Sequence, residues 1–212
     1  MKILSLETTS EVCSVAILED SIVICELLFE SRDMAGQLVA CIEVVLGKSG
    51  FPLSAVDYFV ASSGPGSWTG TRTGLSFVKG LARGERKAIY AVSVPQSFFF
   101  GLRHLKQPAI CLINAYSGKM YISYFNGRFY YRKDYLPGKI DYGEINEVCA
   151  KRDAILTGPG AMILPEKIKK LRNIKIPDRY FLYPRAGING LLAAEKIRKN
   201  IPSLPLIPYY GR

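Results

Sequence analysis

One histidine, His104, is all that 212 residues contain. That scarcity excludes metal centres built from several imidazoles, and a serine or cysteine protease would have to use His104 as its sole base. Its setting, "GLRHLKQ", reads as an exposed helix end or turn. Paired cysteines are absent too: Cys13, Cys25, Cys41, Cys111 and Cys149 are odd in number, widely spaced and without a C-x-x-C pair. They read as reduced residues that fill core positions. No long hydrophobic run opens the chain, because polar residues interrupt "MKILSLETTS" before a signal-peptide core or a membrane span can form. The expected location is therefore the cytoplasm. Acid is scarce as well, with 18 Asp and Glu against 28 Lys and Arg, a formal charge of +10.

What is present suffices for a core: 49% of residues are hydrophobic, and the length suits one domain or two tightly joined lobes. Basic clusters fall at "RGERK" (83–87), "EKIKKLRNIK" (166–175) and "EKIRK" (195–199). Each alone reads as a solvated face; together they point to a polyanionic neighbour, nucleic acid or an acidic protein.

The chain reads as two related halves. "KILSLE", the polar turn "TTSE", "VCSVAILE" and "SIVICELLFE" predict a three-stranded antiparallel meander. A shift of 107 residues brings "AICLINAYSGKMYISYF" over "KILSLETTSEVCSVAIL", with "RFYYRKDYL" as the third strand. A helix is expected after each meander, at Met34 to Lys48 and at Gly143 to Arg152. After it comes a short apolar run ending in the same tripeptide, GPG, at 64–66 and 158–160, followed by a helix. The expectation is an α/β protein of two related lobes, residues 1–100 and 101–212. The second lobe closes with an amphipathic helix over Ile188 to Lys199 and the extended, proline-rich "IPSLPLIPYYGR", which packs along a lobe.

The stretch "GPGSWTGTRTG" invites comparison with phosphate loops, but no lysine follows its last glycine as a P-loop requires. The spacing of Gly64, Gly66 and Gly70 also misses the dinucleotide pattern, and serine is not central as in a nucleophile elbow. With Ser67 or Thr69 as N-cap, Gly70 and Gly74 lie one turn apart on one helix face, and Gly80 and Gly84 continue the series. An interior glycine costs about 0.5–1 kcal/mol relative to alanine, so the series predicts a close backbone approach. Two readings stay open: an external partner or ligand, or packing against Met34 to Lys48. Leu75, Val78, Leu81 and Ala82 form the core stripe of the same helix. The turn "LETTSE" is a second candidate, since Glu7, Thr8 and Thr9 could hold a nucleotide phosphate and its metal. Its counterpart "INAYSGK" offers Asn114 where a second carboxylate would be wanted, which weakens a catalytic reading.

Together, "ILSLETTSEVCSVAI", "SSGPGSWTGTRTGLSFVKGLA" and "PYYGR" resemble the TsaB family, also called YeaZ; "NAYSGKMY" and "TGPGA" match more loosely. The resemblance implies two lobes of the actin, Hsp70 and sugar-kinase type, which is ribonuclease H-like. It also implies a non-catalytic subunit in tRNA threonylcarbamoyladenosine (t6A) synthesis. Such a subunit would dimerise with a catalytic TsaD-like protein that modifies N6 of adenosine 37 in tRNAs reading ANN codons, and a TsaE-like ATPase would join the assembly. By that resemblance Leu38, Ile42, Val45, Gly70, Gly74, Leu75 and Val78 lie at the partner contact, and Glu7, Thr8 and Thr9 form a vestigial phosphate loop. No catalytic residue, metal site or cofactor is expected on this chain alone; ATP or ADP and a metal ion are expected in the partners.

The family's usual Asp is Glu7 here, its usual His is Met34, and its D-A-R-x-G string reads "NAYSG", with Asn114 and Tyr116. The catalytic relatives' H-x-x-x-H pair cannot exist in a chain with one histidine. Candidate tRNA contacts are Lys167, Lys169, Lys170, Arg172, Lys196 and Arg198. A homodimer through the same glycine face is compatible with this reading. The competing expectation is an actin-like ATPase or small-molecule kinase working through Glu7, Thr8 and Thr9.

Overall fold

A computed structural model describes residues 1–30 and 33–210. The first sheet opens with the expected meander, β1 (Lys2–Glu7), β2 (Val12–Glu19) and β3 (Ile22–Glu30). It continues through α1 (Met34–Ser49), β4 (Tyr58–Ser62), α2 (Trp68–Glu85), β5 (Ala88–Val92) and α3 (Val94–Leu102). The second sheet repeats the plan: β6 (Pro108–Tyr116), β7 (Lys119–Asn126), β8 (Gly138–Asp141), α4 (Ile145–Ala150), β9 (Ala154–Thr157), α5 (Glu166–Lys169) and β10 (Ile174–Lys175). Helix α6 (Ala186–Arg198) and an extended tail complete the chain. Strand order is β3-β2-β1-β4-β5 in one sheet and β10-β9-β6-β7-β8 in the other, the same five-stranded arrangement twice.

Both faces of the first sheet are covered, which is why β1 and β2 read as almost unbroken apolar runs rather than alternating ones. Leu4, Leu6, Val15 and Ile17 pack under α1 and α2, with Leu38, Ile42, Val45, Leu75 and Val78. Ile3, Ala16 and Leu18 face the other way, toward α6. In the second lobe, Ala109, Cys111 and Ile113 of β6 lie against α3, while Ile110 and Leu112 face α4 and α5. Local chemistry sets the helix starts. Asp33 accepts from Gly36 N, Ser67 from Gly70 N and Ser93 from Gln96 N, which opens α1, α2 and α3.

Four expectations need correction. "RFYYRKDYL" is not a strand: Phe129 and Tyr135 pack on α3, where Tyr135 meets Phe99 with ring centroids 5.1 Å apart. Gln96 Nε2 donates to the carbonyls of Tyr131 and Lys133, so α3 takes backbone groups a strand would need; the third strand is Gly138–Asp141. The helix after the second meander spans six residues, Ile145–Ala150. The second GPG opens a short 3-10 helix, Pro159–Ile163, and not an α-helix.

Finally, the division at residues 100 and 101 fails for the C-terminus. Ala186, Leu192, Ala193 and Ala194 of α6 are buried against Ile3, Ala16, Leu18 and Val60 of the first sheet. The tail also follows that lobe, with Leu204 N donating to Ala91 O (3.2 Å) and Tyr209 N to Ser63 O (2.8 Å). The chain enters the second sheet and returns.

Candidate functional site

The glycine series after the first GPG resolves into two faces. Gly70 and Gly74 are buried, and a Cβ on either would collide with Thr8, at its carbonyl oxygen and its Oγ1 respectively. A Cβ on Gly66 would come within 2.7 Å of the Thr9 Cβ. Thr8 Oγ1 donates to Gly70 O (2.7 Å) and Ser67 N donates to Thr9 O (2.7 Å), so the start of α2 clamps the β1–β2 turn. The close approach foreseen from the spacing is real. Its partner is this chain's own first turn, neither α1 nor an external surface.

The residues expected at a partner contact therefore point inward: Leu38, Ile42, Val45, Leu75 and Val78 belong to the core under the first sheet, and Gly70 and Gly74 face Thr8. An apolar side chain on an amphipathic helix over a sheet is drawn to its own core first. The outward faces carry different residues. On α1 the exposed positions include Gly36, Val39, Ala40, Val44 and Gly47, with Val39 48% and Val44 45% accessible. On α2 they include Ser76, Gly80 and Gly84, and a Cβ on either glycine would meet nothing within 4 Å. Both helices lie on the same face of the sheet, so these small and apolar positions share one outer surface with the exposed Gln37, Glu43, Lys48, Lys79 and Arg83.

Glu7, Thr8 and Thr9 are buried. Glu7 Oε1 accepts from Thr9 N (2.7 Å) and Thr9 Oγ1 (2.5 Å), while Oε2 accepts from Asn189 Nδ2 (2.8 Å) and from Ser62 Oγ. Asn189 is held in turn by Ser97, whose hydroxyl donates to Asn189 Oδ1 (2.5 Å). With its lone pairs engaged by four protein donors, this carboxylate has no open position for a metal or for a water on a phosphate. The expected phosphate loop is thus a sealed polar network joining β1, β4, α3 and α6. Ser62, Ser97 and Asn189 escaped the sequence reading, although an asparagine on the buried face of the last helix was the available signal. In the second lobe Asn114 sits differently: its Oδ1 accepts from Tyr116 N (2.8 Å) in an exposed turn, and Tyr116 is 62% accessible. Among the described residues no cluster of three or more His, Cys, Asp or Glu is placed to hold a metal ion.

The cations separate as well. Lys167, Lys170 and Arg172 are exposed on and after α5, and Lys169 pairs with Glu166 at 3.1 Å. Arg198 lies on the first lobe, donating to Ser21 Oγ (2.7 Å). Lys196 is not a nucleic-acid contact, being 1% accessible with Nζ at 3.2 Å from both Gln96 Oε1 and Asp134 Oδ1. Burial lowers its pKa, against the opposing pull of Asp134. It ties α6 to α3 and to the 128–136 segment. A further cluster lay hidden in the opening motif and the tail: Trp68 stacks on Tyr210 (centroids 4.1 Å apart), and Arg72 Nε donates to the Tyr210 hydroxyl (2.9 Å) while its guanidinium lies 3.7 Å from the Trp68 ring.

Comparison with known proteins converges on one group. The profile of the family described as TsaD, tRNA N6-adenosine threonylcarbamoyltransferase, matches residues 29–176. The tRNA threonylcarbamoyladenosine biosynthesis protein TsaB of Escherichia coli (strain K12) is 32% identical over 93 residues, 44% of this chain and 40% of that protein. The Haemophilus influenzae protein of the same name is 31% identical over 129 residues, 58% of this chain and 53% of the relative. The match thus spans about half the length of these two relatives or less. The TsaB of Buchnera aphidicola is 23% identical across 95% of this chain and 97% of its own. Among solved structures, YeaZ from Pseudomonas aeruginosa superposes with a TM-score of 0.77 at 21% identity, covering 99% of each chain. The activator of the 2-hydroxyisocaproyl-CoA dehydratase from Clostridium difficile, solved with bound ADPNP, gives 0.52 at 13% identity, over 96% of this chain and 99% of the activator. These structural likenesses establish the fold, two actin-like, ribonuclease H-like α/β lobes.

Proposed function

This chain belongs to the TsaD, tRNA N6-adenosine threonylcarbamoyltransferase, family, and on that premise we propose that it serves t6A synthesis as a non-catalytic partner subunit. In this role it docks on and activates a TsaD-like protein that transfers the threonylcarbamoyl group to N6 of adenosine 37. A TsaE-like ATPase joins the assembly, the nucleotide and metal sit in those partners, and the work is done in the cytoplasm, where tRNA is found. The names of the relatives support the pathway.

The sealed Glu7 network carries the non-catalytic part. A carboxylate that accepts from Thr9, Ser62 and Asn189 is a structural anion, and α2 closes the turn where a phosphate would have to enter. The same observation disfavours an independent ATPase or kinase. Titration of the isolated protein with ATP and magnesium in a calorimeter is expected to be flat.

Docking is assigned to the outward faces of α1 and α2, where Val39 and Val44 stand exposed among small residues and the backbones can be approached closely. Without a TsaD-like partner the same surface can pair with a second copy. Lys167, Lys170 and Arg172, exposed on the second lobe, are assigned to tRNA phosphates in the assembly. The test is co-expression with the TsaD-like protein of the same organism, followed by size-exclusion chromatography and an assay for modified tRNA. Val39→Glu with Val44→Glu is expected to leave the isolated chain folded, because both sites are exposed, and to lower heterodimer affinity at least about 100-fold by burying charge. An intact heterodimer with both substitutions would sink the interface assignment.

A further inference from the structure

Because both lobes use one strand order, the cleft between them has two pseudo-equivalent sides. On one, β5 of the first lobe stands near β8 of the second, and the tail fills the gap: it bonds to Ala91 and Ser63, and the Tyr209 hydroxyl donates to Pro137 O (2.9 Å). On the other, β3 stands near β10, and there a cavity of about 610 Å³ remains. Its walls come from α3, α6 and the 176–184 segment, with Phe98, Leu102, Ile176, Phe181, Ile188 and Leu191 as the principal apolar side chains. This volume falls within the range of small-molecule sites, which favour apolar walls, a few placed polar groups and positions between domains.

The polar groups are few and unequal. Glu26 and Arg185 are committed to each other at 2.7 Å, and Gly187 N adds a bond to Glu26 (2.9 Å). Lys175 is exposed and has no acidic partner among the described residues. Thr157 is 2% accessible, lines the cavity, and its hydroxyl makes no hydrogen bond among the described residues. Lys175 pairs in register with Ile155, and Ile155 and Thr157 point to the face opposite Leu156, so the ammonium and the hydroxyl share one face of β9 and β10. The charged lining thus sums to one uncompensated positive group, on the same strand face as a hydroxyl without a protein partner among the described residues, in a largely apolar chamber.

We infer that this cavity binds a small amphipathic anion, its aromatic or branched apolar body held between α3, α6 and Phe181 and its carboxylate-like head at Lys175 Nζ and Thr157 Oγ1. The site lies apart from the partner surface and meets the Glu7 network only at Ser97, whose hydroxyl is already committed to Asn189, so its success or failure leaves the proposed role in tRNA modification untouched.

The probe is 1-anilinonaphthalene-8-sulfonate, an aromatic body with one anionic head, compared with uncharged N-phenyl-1-naphthylamine by fluorescence titration of the full chain. One anionic probe per chain is expected to bind. Lys175→Glu is expected to weaken it about tenfold or more while changing the uncharged probe less than about twofold. Thr157→Val keeps the volume and is expected to weaken only the anionic probe. A Cβ at Gly101, which lines the cavity from α3, meets nothing within 4 Å, so Gly101→Trp can occupy the chamber without disturbing the core and should remove both probes. Absence of binding, binding indifferent to Gly101→Trp, or equal effects of Lys175→Glu on the two probes would each overturn the inference.

Discussion

The two lobes share a strand order and differ in the element after each GPG turn. In the first, Gly64–Gly66 leads into the 18-residue α2, whose opening turns clamp the β1–β2 turn through Thr8 and Thr9. In the second, Gly158–Gly160 rests on the backbone of Leu112, a short 3-10 helix succeeds it, and the turn at Asn114–Gly118 is held from a different element, by Tyr142 N donating to Gly118 O (2.9 Å). The helix after the meander shrinks likewise, from 16 residues in α1 to six in α4. Among the described residues the long helices α1 and α2 belong to the first lobe, while the second carries the exposed cations of α5. The same strand order thus carries long helices in one lobe and short ones in the other.

The sharpest way to break the comparison is at the clamp. Gly70→Ala places a Cβ into the Thr8 carbonyl and is expected to cost about 3 kcal/mol or more, whereas Gly80→Ala on the outer face of the same helix should gain about 0.5–1 kcal/mol. Urea denaturation of both variants checks this, and equal effects would mean that the helix start does not grip the turn. Next come the equivalent polar positions of the two turns. Glu7→Ala strands the Thr9, Ser62 and Asn189 donors in the core and should cost about 3 kcal/mol, while Asn114→Ala removes one exposed turn bond and should cost about 0.5–1 kcal/mol.

A third measurement tests a property the lobes have in common. Burial, then the nearby Glu7, pushes the Cys13 thiol from 9.0 up to about 12, and burial raises Cys111 in the second lobe as well. A raised folded pKa means that the folded state holds the proton longer. Stability is therefore full below pH 9.0 and falls as pH climbs toward the folded value. Cys13→Ala and Cys111→Ala should each flatten the loss between roughly pH 9 and 11 by up to about 1.4 kcal/mol per pH unit. If one variant flattened the slope and the other did not, the two cores would differ in how far they exclude the thiolate. The smallest effect belongs to the tail. Arg72→Ala should cost at most about 1 kcal/mol, since exposed cation–π contacts are weak, yet it should shift the fluorescence of Trp68, the sole tryptophan, as the Tyr210 stack loosens.

Much of this architecture was legible in the chain. Alternating and continuous apolar runs marked the first meander and the first two strands of the second, Ser67 was one of two candidate caps for α2, and the repeated GPG pointed to the repeated strand order. "RFYYRKDYL" misled because its aromatics satisfy β-propensity equally well when buried against α3, and only the capture of its carbonyls by Gln96 excludes it from the sheet. The return of α6 to the first lobe was illegible for a similar reason, as an amphipathic helix does not specify which sheet it covers.

The sequence by itself determined the class of fold, its internal repeat, the single histidine that excludes metal centres built from several imidazoles, and the glycines that demand a close approach. These are properties of composition and of patterns a few residues long. Only the tertiary structure decided what each pattern meets: that Gly70 is pressed on Thr8 across 62 positions of chain, that Asn189 occupies Glu7 across 182, that Lys196 is interior, and that the tail fills one side of the inter-lobe cleft and leaves the other side hollow. Local periodicity selects which face of an element is buried, but the identity of the neighbour depends on how remote elements pack, and it is that packing which turned an apparent phosphate loop into a sealed structural network.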